Sequence, residues 1–329
     1  MSGARVLVTG ASGFLGGYVV PELQRHGHEV YAAGRDADAL ARVADPEHRV
    51  RGDLEALGSR ELPVEAVIHC AALSTPWGPW NDFRAANVDG TARVVDFARR
   101  NGVRRIVHVS SPSVYAAARD RIGIRESEVD PRNRLNGYIR SKIAAEQLLR
   151  RALDAGDIEE LVIVRPRGLI GIGDPSLVPR LLAVHERIGV PLFGGGDNLI
   201  DVTAVENVAS ALRLALTHGD PAGGVYNISN GEPRPFRELL STLLGLLGEQ
   251  PRFRPLNRRT AWAIAAVLEG ACSALPGRPE PPLTRYTLST IAYSQTLDIS
   301  RAVAELRYRP EVSLDDALAR VASHLRASV

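Results

Sequence analysis

Arg5-Val-Leu-Val-Thr9 followed by Gly10-Ala-Ser-Gly13-Phe-Leu-Gly16 is a β-branched run that opens into three glycines at G-x-x-G-x-x-G spacing. The run predicts a strand, the glycines a tight turn, and the residues from Gly16 to His26 an amphipathic helix. Glycines let a backbone approach a pyrophosphate, and a helix N-terminus adds N–H donors and a positive dipole. At the first strand-to-helix junction of a chain, this pattern points to a dinucleotide phosphate site. Gly10, Ser12, Gly13, Phe14, Leu15 and Gly16 are its candidate residues.

Working outward, short β-branched runs alternate with longer helical patterns. Residues 29–33, 66–69, 105–109 and 161–165 read as strands, with a further strand before Asp53 and another at 224–228. Residues 91–101, 137–152 and 205–218 read as helices. Such alternation predicts right-handed βαβ units, and so an α/β protein with a doubly wound parallel sheet. After Pro166, Pro and Gly recur, and the texture suggests a smaller lobe inserted among the later sheet elements. The expected division places 1–166, about 198–228 and about 290–303 in a discontinuous dinucleotide-binding domain. About 167–197, 229–289 and 304–329 are left for a substrate-binding domain.

The end of the second strand bears on the choice of dinucleotide. An NAD site usually places a carboxylate there for the adenosine ribose; here Gly34 is followed by Arg35. Glycine removes a charge that would repel a 2′-phosphate, and arginine can pair with one bidentately. NADP(H) is therefore favoured, with NAD(H) the alternative if Asp36 or Asp38 serves the ribose. Asp53, followed by Leu54, is placed either to accept from an adenine amino group or to cap the next helix.

The 329 residues suit two lobes. Hydrophobic residues are 45% and charged residues 24%, which excludes a disordered chain. The net charge of +2 arises from 40 basic and 38 acidic residues that are interspersed, so no nucleic-acid partner is expected. No apolar run reaches the ~18 residues of a membrane span, and the chain starts without a secretory leader pattern, so a cytoplasmic location is expected. Cys70 and Cys272 make neither a disulfide framework nor a metal-ligand spacing; no metal is expected.

Of the 40 basic residues, Lys142 alone is lysine. Where coding bias has turned every other cation into arginine, the survivor marks a position that needs a compact, tunable ammonium. It follows Tyr138 by four residues, a placement that chance gives the lone lysine only about 2% of the time on composition grounds. At that spacing the two share a helix face. A cation one turn away stabilises a phenolate, so the phenol can exchange a proton with an alcohol or carbonyl oxygen while hydride moves to or from a nicotinamide. A hydroxyl should steady the substrate oxygen. Val109-Ser-Ser-Pro-Ser-Val-Tyr115 leaves a buried strand at its ligand-facing end, and Ser111 is the first choice, with Ser110 and Ser113 as competitors. Tyr115 is expected to line the pocket. His69 and His108, in apolar strands, read as core histidines.

The glycine turn, Asp53, His69-Cys-Ala-Ala72, Asn87-Val-Asp-Gly-Thr91, Ser110-Ser111…Tyr115, Tyr138…Lys142 and Arg165-Pro166 together resemble the extended short-chain dehydrogenase/reductases, a superfamily that includes NAD-dependent epimerases and dehydratases. The resemblance spans the whole chain. It implies a Rossmann domain with a smaller C-terminal substrate-binding domain, a Ser111–Tyr138–Lys142 triad in which Lys142 also holds the nicotinamide ribose, and Ala71, Ala72, Pro166, Gly168 and Leu169 beside the cofactor. It also implies a homodimer through the 91–101 and 137–152 helices, although apolar stripes lining the sheet would look the same.

The branch is narrowed by what is missing. Nucleotide-sugar enzymes of this superfamily place an arginine where Ile200 stands, although Arg234, Arg237 or Arg285 could compensate, and dehydratases carry two carboxylates that Ser111-Pro-Ser113 lacks. The pattern resembles instead the 3β-hydroxysteroid dehydrogenase branch, with its sterol dehydrogenases and 2-alkyl-3-oxoalkanoate reductases. The expected activity is an NADP(H)-dependent ketoreductase or secondary-alcohol dehydrogenase on an apolar small molecule, such as a 3-oxo/3-hydroxy acid or steroid-like ketone. Ser74, Ser113, Tyr115, Arg167, Trp262 and Arg285 are the candidate substrate contacts. The competing readings are an NAD-dependent nucleotide-sugar epimerase and a dinucleotide-binding sensor or scaffold. The apolar 260–268 segment could cover a substrate, touch a membrane surface or pack in a core.

Overall fold

The computed structural model describes residues 3–327. Seven parallel strands form the central sheet: β1 (Arg5–Thr9), β2 (Glu29–Gly34), β3 (Arg49–Arg51), β4 (Ala66–His69), β5 (Arg105–Val109), β6 (Glu160–Pro166) and β7 (Ala222–Ile228). Their spatial order is β3-β2-β1-β4-β5-β6-β7. Because side chains alternate along a strand, each strand feeds two cores. Val6, Val8, Ile68, Val107 and Val162 meet Val19 and Leu23 of the Phe14–Arg25 helix and Leu212 of the Val205–Leu214 helix. On the other face Leu7, Val67, Ile106 and Leu161 meet Val94 and Phe97 of the Gly90–Asn101 helix and Leu149 of the Gly137–Asp154 helix. The chain reverses direction of winding between β1 and β4, and the carboxyl ends of the strands around that point face a ligand crevice.

The apolar stripes of the Gly90–Asn101 and Gly137–Asp154 helices thus line the sheet. Their outward positions include Arg93, Asp96, Arg99, Gln147 and Arg150, so these stripes supply no argument for a four-helix bundle between copies. Among the described residues no helix is long and apolar enough to cross a membrane.

A second sheet is assembled from short strands far apart in sequence: Arg234–Pro235, Leu199–Ile200, Gln295–Leu297 and Arg121–Ile124, in that order. Leu199–Ile200 and Gln295–Leu297 therefore hydrogen-bond outside the large sheet, whereas the sequence reading expected both within the dinucleotide-binding lobe. Conversely Leu306 and Tyr308, expected in the smaller lobe, pack into the main core. They are held there because the Tyr226 hydroxyl donates to Glu305 at 2.5 Å and the Tyr308 hydroxyl to Ser229 O at 2.9 Å. The smaller lobe has its own core, in which Ile200, Val202, Phe236, Leu240 and Leu318 meet.

Candidate active site

At the end of β1 the backbone turns so sharply that Gly10 adopts φ +72°, and a Cβ there would stand 2.7 Å from the amide nitrogen of Ala71. Ala71 follows β4, so only glycine lets the two strand ends close on each other. A Cβ on Gly16 would fall 2.2 Å from the carbonyl oxygen of Gly10. The Phe14–Arg25 helix begins here with Gly13 as its N-cap, no side-chain cap and no acidic residue in its first turn. Uncapped first-turn N–H groups beside a side-chain-free cradle fit a pyrophosphate. Phe14 and Leu15 lie half-buried at the mouth of the turn, Ser12 beside it.

Gly34 has a duty that sequence reasoning missed. A Cβ on it would sit 2.4 Å from Ser12 Oγ. The position is glycine because the glycine turn packs on it, whatever charge the adenosine end prefers. Arg35 is exposed and makes no hydrogen bond or ion pair with any described residue. Asp36 is spent as a helix N-cap, accepting from the amides of Asp38 and Ala39 at 3.0 and 2.9 Å. Asp53 is likewise a cap, its Oδ1 accepting from Glu55 N and Ala56 N at 3.0 and 3.2 Å, a role that engages only one of its two carboxylate oxygens. Leu54 is half-buried beside it.

The Gly137–Asp154 helix starts from Asn136, whose Oδ1 accepts from Ile139 N at 2.8 Å and whose amide donates to Pro76 O at 3.1 Å. On its buried face Tyr138 (8% exposed) precedes Lys142 (2%) by one turn. Lys142 Nζ donates to Val109 O at 2.7 Å, pinning this face to the end of β5 two residues before Ser111. The Tyr138 hydroxyl has no hydrogen-bond partner among the described residues. Ser111 Oγ accepts from Ser113 N at 3.2 Å, which leaves its proton free to donate. Ser113 is buried with Oγ unpaired. Ser110 drops out, because its hydroxyl donates to Glu146 at 2.5 Å.

Burial pushes the Lys142 ammonium down to about 8, against a partial pull upward from Glu146. An unfolded lysine titrates at about 10.4, so the unfolded chain binds more protons between these values. Stability therefore rises with pH across that window and the buried cation costs stability below it. Since Lys142 is the only lysine, protein labelled with 13C-lysine has a single side-chain Cε resonance; its titration midpoint is expected near 8, and a midpoint near that of a solvated lysine would contradict this environment. Nearby, burial holds His69 down at about 3 and raises Cys70 to about 12. His69 is bonded on both ring nitrogens, to Thr9 and Thr91, while His108 is buried with neither nitrogen paired.

Beneath this face lies a polar network. Arg165 donates to both carboxylate oxygens of Glu146, at 2.8 and 2.5 Å, and to Tyr115 Oη at 2.5 Å. Tyr115 in turn donates to Asn227 Oδ1 at 2.8 Å. The expectation that Tyr115 lines the pocket is thus corrected: it is 1% exposed, its hydroxyl is consumed between Arg165 and Asn227, and burial raises it to about 12. Glu146, one turn beyond Lys142, was the missed member; a carboxylate within an apolar stripe was its signal. Asn87 is another. It lies in a π-helical stretch, Arg84–Asp89, and bonds Leu73 N and O at 2.7 and 3.0 Å and Ser141 Oγ at 2.8 Å. It ties the loop carrying Ala71 and Ala72 to the Tyr138 helix.

A cavity of about 300 Å³ opens between Trp77, Asn136, Glu269, Arg285 and Tyr286. Arg285 lines it with its guanidinium tied to Glu269 at 2.7 Å. Trp77 closes one side by donating to Arg278 O at 3.0 Å. Ser74 is exposed on the neighbouring loop. Trp262 packs against the cluster of Phe193, Ala261 and Leu288 rather than on the cavity, because the apolar side of the Arg258–Ala274 helix turns to that core. Pro166 and Arg167 are buried, with Gly168 and Leu169 half-buried, at the ligand end of β6.

A doubly wound parallel sheet with a phosphate cradle at its first turn and an unspent tyrosine over its fifth strand defines a dinucleotide-dependent enzyme of hydroxyl and carbonyl groups. The chain belongs to the NAD dependent epimerase/dehydratase family, whose model matches residues 6–229. It is 35% identical over 326 residues to a 2-alkyl-3-oxoalkanoate reductase of Stenotrophomonas maltophilia, covering 96% of this chain and 98% of that one. It is 30% identical over 332 residues to a decarboxylating sterol-4-alpha-carboxylate 3-dehydrogenase of Schizosaccharomyces pombe, covering 96% and 95%. Among solved structures it is similar to MoeE5 in complex with UDP-glucose and NAD, at TM-score 0.74 and 27% identity over 98% of this chain and 99% of that one.

Proposed function

We propose that this NAD(P)-dependent oxidoreductase is an NADP(H)-dependent ketoreductase and secondary-alcohol dehydrogenase acting on an apolar 3-oxo/3-hydroxy acid or steroid-like ketone. The observation that carries the reading is the buried Tyr138–Lys142 face, fixed to Val109 O beside Ser111, with the tyrosine hydroxyl left unspent. In both relatives' names, the carbon that is reduced or oxidised neighbours a carbon bearing a carboxylate.

The bound nicotinamide supplies or accepts hydride; the remaining work belongs to the chain. First-turn N–H groups at Phe14 to Gly16 would hold the pyrophosphate, and Arg35 would pair with the 2′-phosphate. Lys142 holds the ribose and stabilises negative charge as it develops on the phenol oxygen. In reduction Tyr138 gives its phenolic proton to the carbonyl oxygen, while Ser111 donates a hydrogen bond to the same atom. Replacing Arg35 with Ser is expected to weaken NADPH about ten- to a hundredfold, the worth of a charge-assisted pair, with little change for NADH. Equal weakening of both in fluorescence titrations would remove Arg35 from this role.

A nucleotide-sugar substrate is disfavoured by the smaller lobe. Ile200 is buried in its core. Arg234 is taken bidentately by Asp315 at 2.5 and 2.9 Å, and Arg237 stacks on Phe253. The test is a panel of 2-alkyl-3-hydroxy acids, 3-hydroxysteroids and simple secondary alcohols, with NADP⁺ and NAD⁺ in parallel. Reduction of NADP⁺ by the acids or steroids is expected. Turnover confined to sugar nucleotides would overturn the reading.

A further inference from the structure

Two residues beyond the well-satisfied Arg165 stands a second buried arginine with nothing to hold. Arg167 is 7% exposed, yet its guanidinium makes no hydrogen bond or ion pair with any described residue. Its main chain is fully engaged, N donating to Ile228 O at 2.9 Å and O accepting from the Thr203 hydroxyl. The side chain is the only part unspent. Asp201 exerts a Coulomb pull on it from beyond ion-pair distance, and that carboxylate already accepts from Leu297 N at 2.6 Å. A buried cation left in this state is costly unless something negative arrives to meet it.

Where the negative group would come from follows from Tyr286. This side chain is a wall of the cavity and lies within electrostatic reach of both Tyr138 and Arg167. Ser113 is buried beside the Tyr286 hydroxyl. The unsatisfied cation and the Ser113 hydroxyl thus both neighbour Tyr286, the residue that joins the cavity wall to the candidate acid. Other cations near that space are occupied: Lys142 by Val109 O, Arg165 by Glu146, Arg285 by Glu269 and Arg180 by Glu280. In a 3-oxo acid the carboxyl carbon is only two carbon–carbon bonds, each about 1.5 Å, from the carbonyl carbon. An oxygen seated at Tyr138 therefore brings its own carboxylate to the same few ångströms.

We propose that Arg167 is the specificity-determining residue that pairs with the substrate's carboxylate, making a 3-oxo or 3-hydroxy acid the preferred substrate over any neutral ketone or alcohol. The proposal rests on the ketoreductase reading and selects among its substrates. A guanidinium offers two parallel N–H donors to a carboxylate, and a desolvated pair of this kind discriminates strongly against a neutral analogue.

Oxidation of a 2-alkyl-3-hydroxy acid and of its methyl ester, both stable compounds, by NADP⁺ tests it. Wild-type enzyme is expected to favour the acid by about a hundredfold in kcat/KM. Arg167→Met is expected to erase that preference through KM, leaving the ester within about threefold, and Arg167→Lys to restore part of it. In parallel, calorimetry of the acid with NADP⁺-loaded protein should show binding in wild type and none in Arg167→Met, with NADPH affinity and melting temperature retained. An equal fall for acid and ester, or a fall in NADPH affinity, would assign Arg167 to the fold or the cofactor and overturn the proposal. Should wild type oxidise neither compound, the ketoreductase reading fails separately; calorimetry then still decides, since absence of acid binding to wild type, or its persistence in Arg167→Met, sinks the carboxylate site.

Discussion

Tyr138→Phe is expected to lower turnover by about 10²–10⁴-fold, the usual worth of a positioned acid or base, while leaving dinucleotide affinity and melting temperature unchanged. The exchange removes one oxygen. That oxygen has no partner among the described residues, so the fold loses no hydrogen bond. The ring stays in its packing, 6.3 Å from the centroid of Phe83. What disappears is only the proton that would pass to the substrate oxygen. Stopped-flow measurement of hydride transfer, with cofactor binding followed by fluorescence, separates the two effects. Normal turnover in the variant would remove Tyr138 from the chemistry. Ser111→Ala should cost less, because a second hydroxyl, that of Ser113, lies two residues on in the same short turn.

Arg165→Met is expected to destabilise the protein by about 3–5 kcal/mol, the range for stripping one partner from a buried ion pair. Both side chains are sealed, at 3% and 7% exposure. Burial works against the charge of Glu146, and the two bonds from Arg165 reverse that, holding its carboxyl below the usual range. Without the guanidinium the buried carboxylate keeps only the Ser110 hydroxyl as a side-chain hydrogen-bond donor, and Tyr115 loses a donor as well. The double variant Arg165→Met/Glu146→Leu should recover much of the loss, because it leaves no orphaned charge. Urea unfolding midpoints at pH 7 measure both. A single variant within about 1 kcal/mol of wild type would mean that water replaces the arginine, contrary to its sealed environment.

The large sheet was legible in the sequence because most of its strands carry an apolar run, as in Arg5–Thr9, Ala66–His69 and Arg105–Val109, and its helices repeat their apolar residues locally. Tyr138 and Lys142 were legible for the same reason: their relation is a spacing of four on one helix. The small sheet was not, since Leu199–Ile200, Arg234–Pro235 and Gln295–Leu297 are too short for any period and pair far apart in the chain, Ile200 with both Arg234 and Gln295, and Gln295 with Arg121. Tyr115 and Arg167 show the same limit from the side of chemistry. Whether a buried polar group is satisfied depends on partners such as Asn227 and Glu146, which sequence neighbours do not reveal. Gly34 is subtler: its identity was noticed, but the neighbour that demands it, Ser12, comes from another turn of the chain.

The π-helical stretch Arg84–Asp89 amounts to one residue more than an α-helix would use to travel the same rise. Each residue of an α-helix advances the azimuth by about 100°, so deleting a single position here would not merely shorten a loop. It would swing the Asn87 amide away from Leu73 and Ser141 and turn Thr91 off His69, like a key cut one notch short. Insertions and deletions in this family should therefore avoid 84–89 while tolerating the exposed 118–119 and 275–277 segments, a pattern of gaps rather than of substitutions.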